Sequence, residues 1–341
     1  MKTQTSLATI ILAAGKGTRM KSDQAKVLHE VFFEPMIHHV VKAVQPLDAD
    51  QSIVMVGHQK EAVEQALAGF NLTCVEQKEQ NGTGHAVLCA ETSLRDFHGT
   101  VLILCGDSPL LLTEHLTDML KVHTSADSVL TIVTTLLENP QNYGRIITDD
   151  AGSVLEVVEE KDATDEQRRI KEINAGIYCV EKEFLFKALR QVTTDNSQGE
   201  MYLTDIVAIA VRNGFRVEKY EHPVPDHVLG VNSRVELSKA HLELQARRNQ
   251  ELMASGISMH NPATITVAPT SEVSPNCTLS RQVTISGTSV IGSGSVADPG
   301  VFINNATIGD NVLIGANSVV CDCRVPDNSS IPPLSRILKD E

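Results

Sequence analysis

The segment Gly15-Lys16-Gly17-Thr18-Arg19-Met20, followed closely by Lys26, brings together two features that suit a phosphate. Its glycines remove side chains where backbone must approach a ligand and open dihedrals closed to other residues. Its cations, Lys16, Arg19, Lys21 and Lys26, face one acid, Asp23, within twelve residues, in a chain whose formal charge is −14. The loop follows the run from Leu7 to Ala14, broken only by Thr9. That is the pattern of a strand buried on both faces. A strand that opens into a loop of N–H donors and cations is a place for phosphate. The GxGxxG fingerprint fails because Met20 holds its third glycine position, and the Walker A pattern fails as well. From glycines and charges alone, an ordinary strand-to-helix turn with a solvated basic face is the alternative. A signal peptide, with Lys2 as charged region and Ala13-Ala14-Gly15 as cleavage site, has too short an apolar run to compete.

Other polar residues stand at the ends of apolar strands. Val101–Leu104 runs through Cys105-Gly106 to Asp107. A carboxylate there suits Mg²⁺, which takes oxygen ligands and bridges to substrate phosphates; a helix-cap or turn aspartate is the alternative. Gln77 offers an amide donor and acceptor side by side, which matches the edge of a uracil. Gly82 and Thr83, in Asn81-Gly82-Thr83-Gly84-His85-Ala86, open a helix and present N–H groups to a base or phosphate, or simply cap that helix. Tyr143-Gly144 reads as a hairpin turn, and Glu159-Glu160-Lys161-Asp162 as a charged, solvated face. Asn174 carries an amide suited to an N-acetyl group or hydroxyls, and Tyr202 and Thr204 carry hydroxyls.

Strands at Ala8–Ala14, Ser52–Val56, Val101–Leu104, Val129–Thr135 and Ile177–Val180 alternate with helical stretches at Pro35–Gln45, Lys60–Ala68 and Gly84–Leu94. Such alternation predicts an α/β fold with a Rossmann-like, doubly wound, mostly parallel sheet. Ligands on these sheets bind beyond the carboxyl ends of the strands. Gly15, Gly57 and Gly106 each follow a strand, so their loops should gather at one edge. Ser233 to Gly256 predicts a connecting helix with Ser233 as cap and Gly256 as stop. Beyond it a six-residue period runs through Val267, Val273, Leu279, Ile285, Ile291 and Ala297, slips by one residue, and resumes at Ile308, Ile314 and Val320. These hexapeptides predict a short left-handed parallel β-helix of about three coils, broken by Pro326, Pro332 and Pro333. The expected organisation is a catalytic domain over 1–232, a linking helix over 233–257 and the β-helix over 258–341.

The 341 residues, 42% hydrophobic and 21% charged, suffice for two domains with real cores. The acidic balance argues against nucleic acid as a partner, and no apolar run is long enough for a bilayer. Seven cysteines without CxxC spacing suggest free thiols and a cytoplasmic setting. Cys321-Asp322-Cys323 is read as incidental turn residues rather than as a metal or redox pair.

Leu-Ala-Ala-Gly-Lys-Gly-Thr-Arg-Met at 12–20, with Lys26-Val27-Leu28, resembles the signature of sugar-1-phosphate nucleotidyltransferases. It is most similar to the N-acetylglucosamine-1-phosphate uridylyltransferases, and strings of that family recur in order from residue 7 to residue 234. The resemblance implies a Mg²⁺-dependent transfer of a uridylyl group from UTP to N-acetylglucosamine 1-phosphate. It implies nucleotide contacts from Leu12, Ala13, Ala14, Gly15, Gly17, Thr18, Gln77, Gly82 and Thr83. It implies catalytic roles for Arg19 and Lys26, and metal ligation by Asp107 and by Asn232 of Gly230-Val231-Asn232-Ser233-Arg234. Gly144, Glu159, Lys161, Asn174, Tyr202 and Thr204 are implied to bind the sugar. Cys105, Ala175 and Met201 depart from the residues most frequent in the family. In the bifunctional relatives a longer β-helix carries an acetyltransferase site; here no histidine follows His260, so no acetyl transfer is expected. The β-helix is expected to serve folding or assembly, with a homotrimer as the expected form. The alternatives are another hexose 1-phosphate, a thymidine nucleotide, or a silent regulatory subunit that keeps the fold.

Overall fold

The computed structural model describes residues 6–339, and Thr18 by its backbone alone. The chain divides into two compact units, one reaching to Glu236 apart from residues 31–33, the other made of 31–33 and the residues from Leu237 onward.

The first unit is built on a nine-stranded sheet. Its strands are β1 (Leu7–Leu12), β2 (Gln51–Val56), β3 (Thr73–Glu76), β4 (Thr100–Cys105), β5 (Leu130–Leu136), β6 (Arg145–Thr148), β7 (Val154–Val158), β8 (Glu172–Glu181) and β9 (Val217–Glu221). The main path runs β9-β5-β8-β4-β1-β2-β3, with β6 paired to β8 and β7. β1 lies parallel to both β2 and β4, β3 pairs in parallel with β2, and β9 in parallel with β5. β8 runs antiparallel between β4 and β5, and β7, antiparallel to β6, shares its direction, so the sheet is mostly parallel, with one reversed strand in the middle of the main path and a second off it.

The apolar runs form strands because both faces are covered. Ala8 and Ile10 of β1 and Val101 and Ile103 of β4 enter one core, whereas Ile11, Leu102 and Leu104 enter the other. Helices α3 (Thr83–Cys89), α5 (Lys182–Leu189) and α6 (Asp205–Arg212) close the first face, through residues such as Val87, Leu185 and Ile206. Helices α1 (Met36–Val44), α2 (Lys60–Leu67) and α4 (Thr113–Ser125) close the second through Ile37, Val63 and Leu116. The chain leaves β1 toward β2 and β3, then returns across β1 to β4. The order of winding therefore reverses between β1 and β4, where Leu12 pairs with Cys105. In a sheet of this kind the ligand crevice opens at that point.

The second unit begins in helix α7 (Arg234–Ala254), whose C-terminus closes as a Schellman motif: Gly256 N–H donates to Met253 O and Ile257 N–H to Leu252 O. Gln245 and Asn249, buried on this helix, donate to the carbonyl of Ile265 at the start of the coil. Short parallel strands then stack in three sheets of five, five and four strands, consistent with a left-handed β-helix. The coil is longer than the expected three turns. Ile303 also stays in phase, and Val325, Ile331 and Ile337 continue the inward column. The register advances by 18 residues from Thr284 to Phe302 and by 17 from Phe302 to Val319, which is the slip seen in the sequence. Contrary to expectation, the prolines do not break the coil, since Arg324–Val325, Ser330–Ile331 and Arg336–Ile337 are strands. Along its strands each coil donates its N–H groups to the carbonyls of the next, as Gly309 does to Val325 and Gly315 to Ile331, whereas left-handed corner residues such as Asn328 and Leu334 donate back to the coil before. Pro326, Pro332 and Pro333 are not at those corners, so they remove no bond to the coil before them. Cys321, Asp322 and Cys323 form a corner with Asp322 at φ +50°. All seven cysteines are free of disulfides, and no helix among the described residues is long and apolar enough to cross a membrane.

Candidate functional site

A cavity of about 440 Å³ opens at the reversal between β1 and β4. The 12–17 loop forms one wall, Gln77, Gln80 and Gly82 a second, and Cys105 and Asp107 the floor near Lys26 and Arg19. The 12–17 loop is held by its backbone. Ala13 N–H donates to Met55 O, and the carbonyls of Leu12 and Ala14 accept from Gly106 and His58. Its exit is fitted to Lys26, because a Cβ on Gly17 would lie 2.5 Å from Lys26 Cβ.

Four of the expected residues meet at the cavity's charged end. Lys26 Nζ donates to Asp107 Oδ2 and, at 2.6 Å, to Asn232 Oδ1. Arg19 Nη2 donates to the same Asn232 oxygen at 2.7 Å. Lys26 and Asp107 are mostly buried, with side chains 12% and 19% exposed. Asn232 is aimed by its own neighbours. Its Nδ2 donates to Gly230 O, and its backbone N–H to Glu236 Oε2 at 2.6 Å. Val231 N–H ties this segment to the Asp107 carbonyl. Gly230 leaves room for the carboxylate, as a Cβ there would lie 2.6 Å from Asp107 Oδ1. Two hard oxygen donors that already converge on one cation fit Mg²⁺.

On the opposite wall Gln77 is 4% exposed. Its Nε2 donates to Gly82 O and lies 3.1 Å from His85 Nδ1, which fixes the plane of the amide. The Gly82–Gly84 turn is latched to 200–203: Gly84 N–H donates to Met201 O, Met201 N–H to Asn81 O and Leu203 N–H to Thr83 Oγ1. Met201, unusual for the family, contributes here through its backbone. Cys105 lies on the cavity floor with its thiol held near the Gly176 carbonyl; burial, helped by the Asp107 charge, pushes it up to about 12, so it is neutral.

The residues expected at the sugar fall into two groups. Gly144, Glu159, Asn174 and Thr204 come together. Asn174 N–H donates to Gly144 O, Thr204 Oγ1 donates to Glu159 Oε1, and a Cβ on Gly144 would lie 3.7 Å from the Glu159 carboxyl. A register shift in β8 after Asn174 directs that amide, whose Nδ2 donates to Tyr178 Oη. Burial, then the nearby acids Asp205, Asp162 and Glu200, raise the Glu159 carboxyl against the pull of the Thr204 hydroxyl. Lys161 and Tyr202 lie apart from that group: Lys161 is exposed and donates to Gln198, and the Tyr202 hydroxyl donates to Asp162.

Four further residues support the site. Gln80 Nε2 donates to Ala14 O, and Gln59 bridges Ala25 N–H and Asp23 O. Tyr178 backs Asn174. Glu236 orients Asn232, and the Ser233-x-x-Glu236 spacing of a capping box would have flagged it. For the other three the sequence carries no local signal. The side chain of Thr18 lies outside the described residues.

A buried α/β crevice with a cation-lined glycine loop and a facing carboxylate–amide pair defines a protein that handles nucleotide phosphates. Residues 8–223 match the family described as Nucleotidyl transferase. The chain belongs to that family, in its GlmU-type uridylyltransferase branch. It is 52% identical over 273 residues to the bifunctional protein GlmU of Desulfotalea psychrophila, a match spanning 80% of each chain. The GlmU of Geobacter metallireducens is 48% identical over 75% of this chain and 54% of its own length. That of Streptococcus sanguinis is 44% identical over 77% and 57%. The chain thus spans little more than half the length of several relatives it matches.

Proposed function

We propose that this chain transfers a uridylyl group from UTP to N-acetylglucosamine 1-phosphate, releasing pyrophosphate. The observation that carries the reading is the convergence of Lys26 and Arg19 on Asp107 and Asn232, at the mouth of a cavity whose far wall bears Gln77. In this reading Gln77 and the Gly82–Thr83 turn hold the uracil, and the 12–18 loop wraps the triphosphate with backbone N–H groups. Arg19 neutralises the departing pyrophosphate, and Lys26 draws charge from the α-phosphate as the sugar phosphate attacks in line. Gly144, Glu159, Asn174 and Thr204 hold the amino sugar, with Lys161 and Tyr202 at its edge. The attacking group is already an anion, so the protein's work is positioning and charge stabilisation. Asp107 and Asn232 would hold Mg²⁺, which supplies neutralisation between the phosphates.

The described coil offers no imidazole beyond His260 to act as an acetyl-transfer base, so uridylyl transfer alone is proposed for this chain. The coil is proposed to support a homotrimer, and the setting to be cytoplasmic. The test is pyrophosphate release with UTP or dTTP and Mg²⁺ against a panel of sugar 1-phosphates, with acetyl-CoA consumption on glucosamine 1-phosphate in parallel. Release confined to UTP and N-acetylglucosamine 1-phosphate is expected. Equal release with other sugars would overturn the substrate, acetyl-CoA consumption would overturn the single activity, and silence throughout would overturn catalysis.

A further inference from the structure

Three histidines outside the nucleotide cavity meet where α4 passes the end of β9. His115 lies in the first turns of α4, His222 directly follows β9, and His227 ends the short 3₁₀ turn Pro225–His227. One ring nitrogen from each lies within 4.8 Å of the other two. Ring centroids are 4.3 Å apart for His115 and His222 and 5.3 Å for His115 and His227, the second pair stacked.

We propose that His115, His222 and His227 form a binding site for a divalent transition-metal ion of the zinc class, which fastens together the two segments bearing Asp107 and Asn232.

Imidazole is the side chain that Zn²⁺ and its neighbours favour, and three histidines with an open fourth position make a recognised donor set. Around a tetrahedral ion, with each nitrogen about 2.0–2.1 Å away, neighbouring nitrogens stand about 3.3 Å apart. His115 and His227 are only partly buried, and His115 Nδ1 accepts from Leu112 N–H at 3.3 Å, so an ion would have to draw these two rings inward from the present spacing. His222 is the fixed member. Its backbone N–H donates to Thr134 O, its carbonyl accepts from Thr135 Oγ1, and its Nδ1 lies 2.9 Å from Val224 O and 3.2 Å from the Val224 N–H nitrogen. Both contacts fall on Nδ1 and come from the ring's own segment, so the imidazole is oriented from behind by backbone, as the ring of a histidine ligand is. Glu114 Oε1 lies 3.8 Å from His115 Nε2.

Position gives the site its consequence. His115 follows Asp107 by eight residues and His227 precedes Asn232 by five. The two segments already share one bond, from Val231 N–H to Asp107 O at 2.8 Å. A metal at the histidines would add a second fastening at the far end of both.

The test uses untagged full-length chain, stripped with chelator and titrated with Co²⁺ and then Zn²⁺, beside His227→Asn and His115→Gln. One equivalent of Co²⁺ should bind with the visible spectrum of nitrogen ligation and be displaced by Zn²⁺. Each substitution should weaken binding by at least roughly 100-fold and abolish the rise in melting temperature that Zn²⁺ gives the parent. Absence of stoichiometric binding by the parent, or unchanged binding in both folded variants, would overturn the proposal. If the variants unfold, the parent decides: Zn²⁺ must protect His115 and His227 from carbethoxylation mapped by peptide mass, and unchanged labelling would overturn it equally.

Discussion

Lys26 Nζ lies between the Asp107 carboxylate and Asn232 Oδ1 and donates to both. A lysine ammonium thus holds the oxygens proposed for Mg²⁺, and the two cations compete for them until substrate phosphates offer Lys26 another anion. Lys26→Ala should therefore act in opposite directions on two measurements. It should lower kcat by on the order of 10²–10³, as lost transition-state electrostatics do. It should also tighten Mg²⁺ binding to the substrate-free protein by roughly 2–5-fold, the scale of one partly exposed ion pair. Calorimetry with Mg²⁺ beside steady-state kinetics reads both, and weaker Mg²⁺ binding in the variant would refute the competition.

The Gly82 backbone sits at φ +105°, and a Cβ there would lie 2.5 Å from Met201 O. That carbonyl also accepts from Gly84 N–H, so it cannot withdraw without breaking the latch beside Gln77. Gly82→Ala should cost about 1–3 kcal/mol of stability through strain and backbone crowding. It should also raise KM for UTP more than it lowers kcat, because the displaced wall is the proposed uracil side. Denaturant melts with UTP titrations check both; an unchanged KM would separate this turn from the base.

The charged loop and the strand before it were legible because their signals are local: a run buried on both faces, two glycines, and four cations in an acidic chain. Asp107 could be singled out by its place after an apolar strand, whereas Asn232 entered only through the family resemblance. Their pairing was readable only through family resemblance, because 125 residues of chain and the winding of the sheet bring them together. Gln80 and Tyr178 gave no signal, since a glutamine in a loop or a tyrosine in a strand is ordinary until the fold supplies Ala14 O and the Asn174 amide. The reversed β8 was hidden because a strand buried on both faces reads alike in either direction. The number of coils was underestimated because proline was weighed as a strand breaker, whereas the direction of the ladder makes it harmless in the last described coil.

Glu159 yields a pH test. Its carboxyl is raised by burial and by neighbouring acids, so the folded state holds this proton more tightly than the unfolded chain. The sign follows: below the ordinary carboxylate range Glu159 costs nothing, and as pH rises through its raised value ionisation erodes stability. Glu159→Gln should therefore gain stability relative to the parent as pH rises from about 4.3, the ordinary glutamate value, to about 7. The same variant should raise KM for the sugar phosphate by roughly 10–100-fold, the scale of a lost hydrogen bond to a charged group. A stability difference that stays flat with pH would show that Glu159 ionises as freely folded as unfolded.

Leu334 is the apolar residue among the coil's left-handed corners. Asn305, Asn311, Asn317 and Asn328 take left-handed φ values of +48° to +58°, which asparagine tolerates. Leu334 stands at φ +62° with 77% of its surface exposed, so it bears the left-handed penalty with little burial to offset it. Its backbone N–H bonds to Ala316 O, directly above the corner that Asn317 forms one coil earlier. Leu334→Asn should thus stabilise the second unit by about 0.5–1 kcal/mol, the cost of a left-handed residue net of the small area lost. The urea midpoint of the C-terminal transition measures it, and nucleotidyl transfer should be unaffected. A lower midpoint would mean that the exposed leucine is covered in solution, as it would be if it met a second copy of the chain.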